Sequence, residues 1–311
     1  MATQTLVQAK LFINNEIVTG IVDDIITTNP IFQVMPFTGY AGQAILVNRE
    51  NTLGDAQNLA IGGTITAKAA STSVQTPFTA VTMIGDAEMN GLVQAQSVSA
   101  GVDQMMAEVS SKAKSVGRLI QTGMASGTGT SPQMHSYSSL CDASQFTTAS
   151  AGQALSFELL DELLDLVKAK DGEVDYLVAN GKQLIKYRTL VRALGGITET
   201  MVFTMPNGRT RNVDVYNGIP IFQNDYITSV ETANGAALAG GALTSIYAGC
   251  FDDGTQKIGQ SFIHPAGVPA GIAIEQVGVS DTKDEKITRV KAYANFVNFN
   301  RRGLARLTSL S

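Results

Sequence analysis

Residues 41–75 read AGQAILVNRENTLGDAQNLAIGGTITAKAASTSVQ. Ala44 to Val47 reads as one strand, and Thr64-Ile65-Thr66-Ala67-Lys68-Ala69 alternates as a second. Between them, Asn51 to Gly63 is polar and small and carries three glycines. The simplest geometry is a long two-stranded hairpin. Its apolar content is too thin to make a core, and a lone hairpin is marginal in water. It therefore has to lie on something, either the same chain or a neighbour. Between Ala56 and Gly85 the only charged side chain is Lys68. Exposed surface usually carries charge, so this neutral stretch points to surface meant to be covered, as a subunit contact would do.

The rest of the composition agrees. Charged residues make up 16% of the 311, against roughly 25% in an average domain. The net charge of −5 excludes a chain that binds nucleic acid by global basicity. Cys141 and Cys250 are the two cysteines. They sit in no CxxC or Cys/His cluster and fit a reduced, intracellular setting. No window approaches 18 uninterrupted apolar residues, so no membrane helix is expected. No cofactor and no metal are expected either.

Residues 1–22 read as an arm, and 23–40 as a short helix ending near Asn29-Pro30 with an apolar lead-in through Phe32, Val34, Met35 and Phe37. Residues 98–124 form the clearest helix. Val102, Met105, Met106, Val109, Ala113, Val116, Ile120 and Met124 follow the spacing of one buried face. Residues 156–251 read as a compact α/β unit. Ser156 caps one helix and Asn180 a second that closes at Gly195-Gly196. Val174–Ala179 and Thr244–Phe251 read as strands. Pro220 lacks an N–H, so Ile219-Pro220-Ile221 is expected on an edge or exposed strand. Arg289 to Phe296 alternates as a late strand, and Arg301, Arg302 and Arg306 stand among leucines in the tail.

In this order the elements resemble the major capsid proteins of tailed bacteriophages, the HK97-like fold, over roughly residues 20–310. The stretches that carry the resemblance are Ile21–Pro30 through Phe37, Gly127-Thr128-Gly129-Thr130, Gly218-Ile219-Pro220-Ile221 with Asp225-Tyr226-Ile227, and Ala292 to Leu307. The resemblance implies an α+β chain with an N-terminal arm and entry helix over 1–40 and an E-loop over 41–75. The peripheral domain takes 76–154, with its spine helix at 98–124, and the axial domain takes 155–255. The second part of the peripheral domain and the C-terminal strands take 256–311. It implies a non-enzymatic protein that joins copies of itself into hexamers and pentamers of an icosahedral virion shell around double-stranded DNA. The shell would be assembled in the cytoplasm of a host bacterium. The arm is reached within about twenty residues of Met1, so scaffolding is expected from a separate protein, or else the chain is already processed; the resemblance further implies a portal protein and a decoration protein as partners. An encapsulin-like compartment shell keeps the fold with different contents. A soluble α+β enzyme is the remaining reading.

Lys68, Arg49, Glu50, Arg301 and Arg302 are the candidate contacts between subunits. Some shells of this fold join an E-loop lysine to an asparagine by an isopeptide bond. Asn295, Asn298 and Asn300 are candidate acceptors for Lys68, against the plainer reading of a polar contact with a neighbour. His135 and Cys141 lack an orienting third group and read as a polar loop. Gly127-Thr128-Gly129-Thr130 follows a helix and lacks the ending of a phosphate loop. Lys182, Lys186, Arg188 and Arg192 read as a solvated or inter-subunit face. Asp252-Asp253 and Asp281 to Glu285 read as acidic turns, without the spacing of a calcium loop.

Overall fold

The computed structural model describes residues 31–99, 104–170, 172–196, 199–204, 210–228, 232–233, 236–237, 243–254, 259–268, 271–279 and 282–311. The arm and the helix expected before Pro30 lie outside them. The described chain opens with α1 (Ile31–Val34) and β1 (Phe37–Tyr40), and a finger follows from β2 (Ile45–Thr52) and β3 (Thr72–Phe78). Next come β4 (Val81–Asn90), α2 (Gly91–Ser99), α3 (Gln104–Ser126), α4 (Tyr137–Leu140) and β5 (Phe146–Gln153). A central α/β run holds α5 (Phe157–Lys168), β6 (Tyr176–Ala179), α6 (Gly181–Ala193), β7 (Thr200–Thr204), β8 (Thr210–Tyr216) and β9 (Ile219–Gln223). The short pair β10 (Thr232–Ala233) and β11 (Ala236–Ala237) precedes β12 (Thr244–Gly249), β13 (Gln260–Pro265), β14 (Ile272–Val279), β15 (Glu285–Asn298) and β16 (Leu304–Leu310).

The first sheet is organised by β15. It pairs antiparallel with β4, β13 and β14, and β1 joins β13 in parallel. Helix α3, 23 residues and so about 34 Å long, lies across β4 and β15. Its expected stripe, Met105, Val109, Ala113, Val116, Ile120 and Met124, is buried against Met83, Ala87, Val290 and Ala292. The helix begins at Gln104 and runs two residues past the expected end. A separate helix, α2, ends at Ser99 within the expected first turn, and residues 100–103 are outside the described set.

The second sheet has seven strands in the order β5-β16-β12-β6-β9-β8-β7. Strands β6 and β12 are buried on both faces, which is why they read as unbroken apolar runs. Leu177 and Ala179 point to a core under α5 and α6, while Tyr176 and Val178 point to the core shared with α3. The expected caps are in place. Ser156 Oγ accepts from the Leu159 N–H at 3.3 Å, and Asn180 Oδ1 accepts from the Lys182 N–H at 3.0 Å. Asn217 and Gly218, at φ 50° and 79°, make the left-handed pair of a tight hairpin turn between β8 and β9.

Three expectations are corrected. The second finger strand is Thr72–Phe78, not Thr64–Ala69, and the first extends to Thr52. Strand β9 is interior and buried, not an edge. Its pairing with β6 begins at Ile221, so the missing N–H of Pro220 removes no bond from that ladder. The tail strand β16, which the resemblance groups with the second part of the peripheral domain, is bonded to β12 and β5 in the second sheet. Its Leu307 and Leu310 complete the core beneath α5, and Leu304 joins the core shared with α3.

Candidate functional site

The finger stands apart from both cores. Leu46, Leu59, Ile65 and Val74 are at least half exposed, Leu53 is 76% exposed and Ile61 is fully exposed. Residues 53–71 form no strand. One side chain organises this tip. Gln57 Oε1 accepts from the N–H groups of Thr66 and Ala67 at 2.8 and 2.7 Å and from the Thr66 hydroxyl at 2.6 Å, and Gln57 Nε2 donates to Thr64 O at 3.1 Å. Donors that a partner strand would have used go to that amide, so the alternating stretch 64–69 stays out of the ladder. Lys68 is exposed within the tip.

The root of the finger is anchored. Phe78 is buried in a small core with Ile263, Val297 and Phe299, against which Tyr40, Ile45 and Val47 pack. Its ring meets Phe299 edge-on at 6.5 Å and His135 at 5.8 Å. The Arg49 guanidinium lies 5.3 Å from the Phe78 ring centroid. Arg49 also donates to Phe299 O at 3.0 Å and to Asn298 O. Burial pulls the Arg49 pKa below the usual guanidinium range, and the nearby Arg301 adds to the fall, against the pull of Asp142.

Between the finger and the body runs a groove of about 1080 Å³. Leu46, Arg49, Glu50 and Leu53 form one wall; Asp142, Lys170 and Asn300–Arg302 form the other. Arg301 is paired with Asp142. Burial pushes the Asp142 pKa up, but hydrogen bonds from Ser144 and the pairing with Arg301 outweigh it, so the carboxyl titrates below its usual range. Lys170 Nζ donates to Ser144 O at 3.0 Å and to Gln145 Oε1 at 2.5 Å, and Gln145 Nε2 donates to Arg302 O at 2.7 Å. The fold thus gathers Arg49, Glu50, Arg301 and Arg302 around one groove, while Lys68 lies outside its lining, on the tip. Sequence reasoning missed Gln57, Asp142 and Lys170. No periodicity marks them: Gln57 acts across an irregular loop, and the partners of Asp142 and Lys170 include Arg301 and Gln145, far off in the chain.

The other singled-out residues are accounted for. Asn295 is buried; its amide donates to Thr79 O at 2.7 Å and accepts from the His135 N–H at 3.0 Å. Asn298 is fully buried. Of the three proposed acceptors only Asn300 borders the groove, where its side chain caps the Arg302 N–H at 3.0 Å. Cys141 is buried with its thiol toward Leu304 O at 3.5 Å, and burial pushes its pKa up to about 12, which makes it a poor nucleophile. Arg188 pairs with Asp214 at 2.8 Å. Among the described residues, no group of three or more His, Cys, Asp or Glu could hold a metal ion, and no helix is long and apolar enough to cross a membrane.

No protein-family model and no curated protein matches the chain. Solved structures do. The capsid asymmetric unit of cyanophage A-1(L) matches with a TM-score of 0.68 at 9% identity, over 90% of this chain and 92% of that one. The SrpI encapsulin of Synechococcus elongatus PCC 7942 matches with a TM-score of 0.66 at 14% identity, over 90% and 87%. The capsid of a native GTA particle matches with a TM-score of 0.58 at 10% identity, over 90% and 89%. These neighbours share the architecture of shell-forming proteins. The chain has the α+β HK97-like capsid fold.

Proposed function

We propose that this chain is the major capsid protein of a tailed bacteriophage. Copies join into hexamers and pentamers of an icosahedral head that encloses double-stranded DNA, and the protein works as a structural subunit of the virion. The observation that carries this reading is the finger: an anchored root, and apolar side chains along its length that stand at least half exposed. Covering a Leu, Ile or Val side chain is worth about 1.5–3 kcal/mol. Six of them stand at least half exposed along the finger. Laying the finger across the next copy uses that surface, and a head-to-tail contact repeated by rotation closes a ring. On this reading residues 41–75 are the E-loop, 104–126 the spine, 155–255 the axial domain joined by β5 and β16, and the rest of 76–154 and 256–311 the peripheral domain. Arg49, Glu50, Lys68, Arg301 and Arg302 then meet the neighbouring subunit. The scaffold, portal and decoration proteins and assembly in the host cytoplasm belong to the same proposal.

A compartment shell is the second reading, favoured by one observation: the encapsulin neighbour matches about as well as the cyanophage capsid. Negative-stain microscopy of the expressed chain tests both. Closed shells built of rings are expected, and a stable monomer under all assembly conditions sinks either container. Particles from the native source then separate the two, by DNA with a portal vertex in a phage head or by cargo protein without one in a compartment.

A further inference from the structure

Two helices of the seven-stranded sheet carry opposite charge. On α5, Glu158, Glu162 and Asp165 are exposed and fall on one stripe, at spacings of three, four and seven. On α6, Lys182 and Arg192 are exposed and Lys186 is half-buried, with Ile185 63% exposed between them and Leu194 75% exposed at the cap. Glu158/Glu162 and Lys182/Lys186 are like-charge pairs at i, i+4, an arrangement that weakens an isolated helix. Burial and the charge of Lys182 together pull the Lys186 pKa below its usual value. Such stripes are unfavourable in a lone chain and become favourable against a surface of the other sign.

The two stripes lie on neighbouring helices that share one core, where Phe157 of α5 meets Tyr187 of α6 at 6.2 Å. Helix α5 packs chiefly on β16 and β5, at one end of the sheet. Helix α6 is tied to β8, near the other end, by Tyr187 Oη donating to Val215 O at 2.7 Å and by the Arg188–Asp214 pair. A contact between two different surfaces of identical copies is head-to-tail, the geometry that closes rings.

We propose that the acidic stripe of α5 docks on the basic, partly apolar stripe of α6 in a second copy of this chain, and that this contact sets the direction of the ring. The inference rests on the shell reading and names the partner surfaces within it.

Charge reversal tests it. Full-length wild type, Lys186→Glu with Arg192→Glu, Glu158→Lys with Glu162→Lys, and the four changes combined are compared by sedimentation at low salt. Each one-sided reversal should lower the assembled fraction by about tenfold or more, since like charges then face each other. The combined variant should recover assembly to near the wild-type level. Unchanged assembly in both one-sided variants overturns the proposal, and so does failure of the combined variant to recover while circular dichroism shows it folded. If the combined variant does not fold, a Glu162→Cys, Arg192→Cys chain decides. Oxidised particles should give a ladder of multiples on a non-reducing gel, and a single band from assembled particles overturns the contact. Cys141 and Cys250 are buried and contribute no ladder of their own. These failures leave the shell reading standing, whereas a wild type that never assembles removes both.

Discussion

Replacing Arg49 by alanine should loosen the finger without unfolding the body. Arg49 joins β2 to the turn after β15 through a 3.0 Å bond to Phe299 O, a second bond to Asn298 O and the face of Phe78 at 5.3 Å. A hydrogen bond from a charged group contributes about 1.5–3 kcal/mol, and a partly exposed cation–π contact about 0.5–1 kcal/mol. The two bonds share one guanidinium and do not add in full. A net loss of about 2–3 kcal/mol corresponds to a roughly 30- to 150-fold rise in local opening. Hydrogen exchange of the β2 and β3 amides in the dissociated chain reads this directly, because local opening of the finger need not involve the body. Exchange in β6 and β12 should stay as in the wild type. Arg49→Lys keeps the charge but loses the fork and should fall between the two. Unchanged exchange in β2 and β3 of Arg49→Ala would refute the reasoning and leave the Phe78 cluster as the sole anchor.

Phe296→Ala removes a fully buried ring that meets Tyr137 at 4.9 Å and Phe262 at 5.4 Å. It should cost about 3–5 kcal/mol, read as a lower midpoint in urea. Burial lowers the His135 pKa, so between its folded value and the ordinary imidazole value the unfolded chain binds the extra proton. Stability contributed by this site therefore falls on acidification through that window and is restored as pH rises. Denaturant midpoints of wild type and His135→Phe should converge above it and separate within it, the wild type losing more. Boiled particles should run as one band at the 32.8 kDa monomer mass, since Asn295 and Asn298 are buried and the Asn300 side chain is engaged by the Arg302 N–H; a ladder would show that a covalent joint forms.

What the sequence disclosed follows the range of the forces involved. Helix α3 was legible because its stripe is periodic, and α5 and α6 because Ser156, Asn180 and Gly195 act on neighbouring backbone. Long-range pairing was not. Thr64–Ala69 alternates like a strand, yet Gln57 takes its donors. Pro220 looked like an edge signal, yet the ladder with β6 starts one residue later. Strand β5, a small and polar run at the sheet edge, went unread because only its pairing with β16 defines it. In the candidate site, Arg49, Glu50, Arg301 and Arg302 were named from the sequence, but the groove that unites them also needs Asp142 and Lys170. Only the closed fold brings these together.

Replacing residues 53–71 with a short Gly-Ser turn, and counting closed particles by microscopy beside the intact chain, puts the overlapping finger to the test. The shortened protein should melt as the parent does and form no closed shells. Shells of normal size and yield from the shortened chain would contradict it.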